Sequence, residues 1–149
     1  MNTATVIVKR VTWVASHDLL SAVRRVVFVD EQNVPPELEW DGADDCAHHV
    51  LAVAQDGTPV GTGRLKPDCR IGRMAVVQSW RRRGVGSQML TALIEIARDE
   101  GCTTVHLHAQ THVVDFYKCY GFTAVGAEFQ EAGITHRAME LKLFHSEAM

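Results

Sequence analysis

The chain has 149 residues, 46% hydrophobic and 22% charged, with a formal net charge of −3. That composition describes one soluble domain able to bury a sizeable core, and no repeat, low-complexity tract or linker divides residues 1–149. The basic residues are local and form no broad stripe, which argues against a nucleic-acid partner; no apolar run approaches the ~18 residues of a membrane span, and the N-terminus lacks a signal-peptide pattern. Cys46, Cys69, Cys102 and Cys119 are scattered without a C-x-x-C pair and read as reduced thiols of a cytoplasmic protein.

In chain order, Thr5 to Val11 alternates weakly and suggests an edge strand. Ser16 is a suitable N-cap with Asp18 in the first turn, and Leu19, Leu20, Val23, Val26 and Val27 recur at helical spacing, which predicts a helix ending near Val29. Asn33-Val34-Pro35-Pro36 cannot continue it. Glu37 to Asp45, with Glu37, Glu39, Asp41, Asp44 and Asp45 around Trp40, reads as an acidic loop with room for a helical turn.

Val50 to Ala54, Val60 to Leu65 and Ile71 to Val77 read as three successive strands, the first two joined at Asp56-Gly57 and the third entered through Pro67-Asp68. A helix follows Gly86, with Met89, Leu93, Ile96 and Ala97 on one face and Gly101 closing it. Val105 to Ala109 is a fourth core strand, and the strand–helix–strand crossover makes it parallel to the third. Thr111 to Tyr120 reads as a short helix stopped by Gly121, and Phe122 to Phe129 with Thr135 to Phe144 as a closing antiparallel pair. The fold class is therefore α/β, with a mixed, mostly antiparallel sheet containing one parallel strand pair and flanking helices.

The segment with the most chemical content runs from Met74 to Ser87: a strand, then Gln-Ser-Trp, then Arg81-Arg82-Arg83-Gly84-Val85-Gly86 at the start of a helix. Unpaired N–H groups and roughly half a positive charge make a helix N-terminus suited to phosphate, and glycines let a bulky anion approach the backbone. The chain has no Gly-x-x-x-x-Gly-Lys-Ser/Thr loop and no third glycine of a dinucleotide fingerprint. Arg81-x-x-Gly84-x-Gly86 instead resembles the coenzyme A loop of the GNAT superfamily of N-acetyltransferases. Phe116-Tyr117-x-x-x-Gly121-Phe122, in the right order and at the right distance, resembles its second signature. Phe28-x-x-Glu31-Gln32-x-Val34-Pro35 is similar to an ill-characterised bacterial subgroup, and the likeness spans about His49 to Leu143.

The resemblance implies acetyl-CoA as co-substrate and an amine acceptor, small molecule or peptide. It also implies a splayed parallel strand pair whose gap takes the pantetheine arm. It assigns cofactor contacts to the main chain of Met74, Ala75 and Val76, to Arg81, Arg82, Arg83, Gly84, Val85, Gly86 and Ser87, and to Phe116. Tyr117, a phenol protonated at neutral pH, is the candidate proton donor to the departing thiolate, with Tyr120 as its spare. Many relatives carry a Glu or His base on the strand entering the phosphate loop, and Arg70-Ile71-Gly72-Arg73 has neither. Glu31, Glu39, Asp41, His49 and His108 stand as alternatives, with Glu31 and His108 ranked first because loops and strand ends face clefts.

The acidic residues Glu31, Glu37, Glu39, Asp41, Asp44 and Asp45 fit a cationic acceptor, and equally fit a loop kept charged for solubility. His106, His108 and His112 with Cys102 match no firm metal signature, so no metal is expected. The rival class is a non-catalytic acyl-CoA-binding sensor module. Whether the terminal strand pairs two copies into a homodimer is left open by the sequence.

Overall fold

The computed structural model describes residues 5–143, so Phe144 at the end of the last predicted strand falls outside them. Two sheets carry the architecture. The first has the order β1 (Val6–Val11), β2 (His48–Ala54), β3 (Pro59–Leu65) and β4 (Ile71–Val76), all antiparallel. The second places β7 (Ile134–Lys142) between β5 (Thr104–Gln110) and β6 (Thr123–Glu131).

Helices cover both faces of the first sheet, which is why β2 and β3 are buried along almost their whole length, β2 as a nearly continuous apolar run and β3 with its glycines, Thr62 and Arg64 also enclosed. On one side α3 (Val85–Asp99) lays Val85, Met89, Leu90, Leu93 and Ala97 onto Val50, Val60, Leu65, Ile71, Val105 and Leu107. On the other, α1 (Trp13–Arg24) sets Leu20 against Leu51 and Val53, while Val23 and Val27 meet Ala75. Fully burying one such side chain is worth about 1.5–3 kcal/mol, so these two layers fix where each strand end lies.

Helix α1 starts earlier than the sequence suggests. Thr12, not Ser16, is the N-cap, its hydroxyl accepting from the Ala15 amide at 3.2 Å. Burial of Trp13 beside Leu20, Leu51 and Val53 sets that start, an attraction that capping preference alone cannot register. The predicted end near Val29 also differs: from Arg25 to Glu31 the helix widens to a π-turn, with the Gln32 amide donating to the Val27 carbonyl five residues back at 3.1 Å. Such widened turns concentrate at functional sites. The acidic segment contains a single turn, α2 (Pro36–Glu39). Thr111 to Tyr120 divides into a 3₁₀ turn over Thr111–Val113 and α4 (Val114–Lys118).

Strands β4 and β5 are parallel, as the crossover requires, but they do not form a ladder. They meet in a single bridge between Arg70 and His106, where the His106 amide donates to the Cys69 carbonyl at 3.2 Å. Beyond that apex β5 pairs only with β7, and the two sheets part. The same apex corrects the reading of four reduced thiols. Cys69 just before β4 and Cys102 just before β5 are joined in a disulfide, their Cα atoms 6.1 Å apart, leaving Cys46 and Cys119 free. A spacing of 33 residues hides the pair in sequence, and the crossover through α3 brings the two strand starts side by side. Among the described residues no helix is long and apolar enough to cross a membrane.

Candidate active site

The parting of β4 from β5 leaves a cleft of about 1180 Å³, larger than most small-ligand sites. One wall is Ile71 to Val76, the other Leu107 to Gln110; the loop before α3 closes one end, and residues of the α1–α2 connection and the β6–β7 hairpin cover the rest. Because β4 pairs among the described residues only with β3, every second amide of its other edge is open toward the cleft. A bulge at Arg73, whose φ is +51°, breaks the β3–β4 register, and the Thr62 hydroxyl donates to the Arg73 carbonyl at 3.1 Å to hold it.

At the head of α3 the N-cap is Gly84 in the left-handed region, φ +83°, and it has no side chain to cap the helix. Among the described residues no side chain caps the first turn, and its amides face the cleft lined by Gly84, Val85, Gly86 and Ser87. A Cβ on Gly86 would meet only the Phe116 ring, at 3.6 Å, so the space over the first turn is open. These donors, the long gap and its apolar walls fit a phosphate-bearing ligand with an extended arm.

The three adjacent arginines have three different surroundings. Arg81 is committed: its guanidinium donates twice to the Glu31 carboxylate at 2.7 Å and its Nε donates to the Val76 carbonyl at 2.8 Å. Arg83 lies over the Trp80 ring, 5.1 Å from its centroid. Arg82, at φ +64°, lines the cleft. Glu31 is correspondingly occupied, since the hydrogen bonds from Arg81 hold its carboxyl below the usual range, which makes it a weak proton acceptor. Next to it, Gln32 accepts from the Gln110 side chain at 2.9 Å. The π-turn thus sets two consecutive side chains on opposite walls of the cleft, Glu31 on the β4 side and Gln32 on β5.

Tyr117 on α4 lines the cleft and is buried, its ring edge-on to Phe116 and Phe122 with centroids 5.1 and 5.6 Å away. Burial pushes its phenol up to about 12. Among the described residues none hydrogen-bonds its hydroxyl. Tyr120, tilted against Phe116, packs beside the core and does not line the cleft.

His108 shares the cleft face of β5 with Gln110. Its Nδ1 stands 2.7 Å from both the Arg70 guanidinium, which can only donate, and the Glu131 carboxylate, which can only accept when ionised. Burial raises the Glu131 carboxyl, and the hydrogen bond and charge of His108 outweigh this and bring it down. Neither Arg70 nor Glu131 was legible as a site residue, because only the β6–β7 hairpin and the β3–β4 turn bring them to β5. His136, also undetected in the sequence, lines the cleft from β7.

The acidic loop is not an open anionic surface. Arg24 donates to Glu39 at 2.7 Å and to Asp44 at 2.8 Å, and Arg64 to Asp41 at 3.0 Å and to Asp44 at 3.1 Å; Arg73 donates to Asp41 at 3.2 Å and to the Glu39 carbonyl at 3.0 Å, with its Nε 3.1 Å from the Glu39 carboxylate as an ion pair. Burial raises the Glu39 carboxyl; at Asp41 and Asp44 the same burial is outweighed by the hydrogen bonds and charge of the guanidiniums, which carry Asp41 well below the usual range and Asp44 below it. The network clasps α2 and the loop after it onto β3 and β4, forming one end of the cleft. His49 is buried beside this cluster with its Nε2 on the Asp44 carbonyl at 2.9 Å, and His106 is held by the Asp68 carbonyl at 3.0 Å. Among the described residues no group of three or more His, Cys, Asp or Glu is arranged around a common metal position.

Two splayed parallel strands, a glycine-led helix start at their open end and a tyrosine facing the gap define an acyl-CoA N-acyltransferase architecture. The model of the GNAT acetyltransferase domain matches residues 26–143, and the chain belongs to that family. It is similar to the uncharacterized N-acetyltransferase YjcF of Bacillus subtilis, 42% identical over 122 residues that cover 78% of this chain and 86% of YjcF. Among solved structures, Escherichia coli ElaA superposes with a TM-score of 0.80 at 29% identity, covering 91% of this chain and 99% of ElaA. An acyl-CoA N-acyltransferase from Pseudomonas aeruginosa gives 0.76 at 31% identity, covering 92% and 98%.

Proposed function

We propose that the protein transfers an acetyl group from acetyl-CoA to a primary amine by direct attack, with Tyr117 donating a proton to the departing thiolate. The observation that carries this reading is the parting of β4 from β5 directly beside the uncapped first turn of α3, with Tyr117 in the same cleft. Amides of Val85, Gly86 and Ser87 bind the pyrophosphate, and Arg82 and Arg83 add attraction. Glu31 holds Arg81 and the end of β4 in place and does not act as a base. Met74, Ala75 and Val76 offer main-chain groups to the pantetheine amides and to the developing oxyanion. Phe116 closes over the first turn of α3.

On the acceptor side, His108 and Glu131 receive the amine, the carboxylate balancing the ammonium charge before proton removal. Because Glu31, Glu39, Asp41 and Asp44 are engaged with arginines, the acceptor is selected by the β6–β7 hairpin and not by the acidic loop. Release of free thiol on incubation with acetyl-CoA and a panel of amines, peptides and aminoglycosides tests the reading. Tight coenzyme A binding without thiol release from any acceptor would instead support the sensor module.

A further inference from the structure

We infer that His136 is the proton acceptor for the attacking amine, a catalytic role assigned by hydrogen-bond geometry in the cleft. The inference rests on the acetyl-transfer reading of the same site.

A neutral imidazole can take a proton only at the nitrogen that lacks one, and its other contact decides which nitrogen that is. The Nδ1 of His136 lies 2.7 Å from the Ile134 carbonyl. A carbonyl can only accept, so Nδ1 carries the hydrogen and Nε2 keeps its lone pair. The ring is fixed by stacking on Phe129, 5.9 Å between centroids and 23° between planes, and the residue is 7% exposed. No described residue hydrogen-bonds Nε2, while the residue lines the cleft. By contrast, Nδ1 of His108 faces a donor-only and an acceptor-only group at once, which leaves its tautomer contested.

Register explains why β7 can reach the site. His136 is opposite Gln110, the last residue of β5, and opposite Phe129 of β6, so it shares their face at the open end of the gap. The charged and titratable groups around it are Glu131 on β6, His108 on β5 and Arg70 on the β3–β4 turn. Glu131 is near enough that its carboxyl responds to charge on the His136 ring, so an imidazolium formed there gains a counter-charge.

The proton count closes. The ammonium gives a proton to Nε2, and the freed nitrogen pair forms the C–N bond at the thioester carbonyl. The C–S bond breaks with its electrons on sulfur, which takes the Tyr117 proton. The remaining surplus N–H proton restores the phenol through solvent, and His136 returns its own to bulk water. One thioester is consumed and one amide, one thiol and one released proton are formed.

The first test needs no turnover. Two-bond ¹H–¹⁵N spectra of histidine-labelled protein should show His136 as the Nδ1–H tautomer, and an Nε2–H tautomer would overturn the proposal. The second compares His136→Gln, His136→Asn and His108→Gln on an accepted amine. Both His136 variants should lose ~10²–10⁴-fold in kcat/KM near neutrality, lose the parent's acid limb, and recover in proportion to free amine as pH rises, with coenzyme A affinity unchanged in calorimetry. Turnover within twofold of the parent, or an acid limb removed by His108→Gln and kept in the His136 variants, would overturn it. A parent that transfers to no amine would overturn the acetyl-transfer reading and this one together, whatever the tautomer.

Discussion

Replacing Tyr117 with phenylalanine isolates the chemical step. The ring contacts to Phe116 and Phe122 remain, and no described group loses a hydrogen-bond partner, so the melting temperature should be almost unchanged. The size of the kinetic loss follows from the environment. Burial holds the phenol at about 12, whereas an ordinary thiol ionises near ~8.5, so complete handover of the proton to a free thiolate is uphill by roughly 3.5 units, or about 5 kcal/mol. In the proposed mechanism Tyr117 therefore shares its proton as charge builds on sulfur and does not release it ahead of C–S cleavage. That places the effect toward the low end of general-acid contributions, a fall in kcat of ~10²-fold, about 2.7 kcal/mol. Continuous detection of released thiol gives kcat, and calorimetry gives coenzyme A affinity, expected to stay within twofold. Tyr120→Phe, off the cleft, should be nearly silent. If Tyr117→Phe turned over within twofold of the parent, or if Tyr120→Phe carried the loss, the argument from burial and position would be wrong.

Gly86→Val should keep the fold, because its Cβ meets only the Phe116 ring at an ordinary 3.6 Å, and should weaken coenzyme A at least ~10-fold by filling the space over the phosphate donors; unchanged affinity in calorimetry would move the pyrophosphate elsewhere. Arg82→Gln should weaken binding and flatten its salt dependence, since Arg81 is already neutralised by Glu31, and a salt slope equal to the parent's would show that Arg82 adds no attraction. Arg24→Met takes from the buried Glu39 and Asp44 carboxylates one of the two guanidiniums that each faces, leaving Arg73 and Arg64 to balance them, and should cost about 1.5–3 kcal/mol in urea unfolding, a loss under about 0.5 kcal/mol counting against the network. Thiol titration of unfolded protein should find two free cysteines without reductant and four with it, and reduction should lower stability by about 3–4 kcal/mol in the loop-entropy account; four thiols without reductant would remove the bridge.

The local chemistry of the chain was written in its sequence. Hydrophobic periodicity located every strand within a residue or two and the long helix α3, because burial on one or two faces leaves a period that neighbours cannot disguise. The glycine-led loop and the Phe116-Tyr117 pair were legible for the same reason: an uncapped helix start and the turn into α4 are made by consecutive residues. Whatever depended on residues far apart was not. The Cys69–Cys102 bridge arises only when the crossover through α3 closes, and the pairing of Glu31 with Arg81 across 50 positions only when α1 and its π-turn pack on β4. The parting of β4 from β5 was expected from the family resemblance, whereas its single bridge at Arg70 is set by the fold. The acidic loop read as charge offered to a cation or kept for solubility, and Glu39, Asp41 and Asp44 turned out to be engaged by Arg24, Arg64 and Arg73, because a charge taken into the interior must find its counter-charge wherever the fold brings one. His136 gave no signal at all. A histidine in a strand gains a defined tautomer and a place in the cleft only from the carbonyl, the ring and the strand register that tertiary structure sets around it.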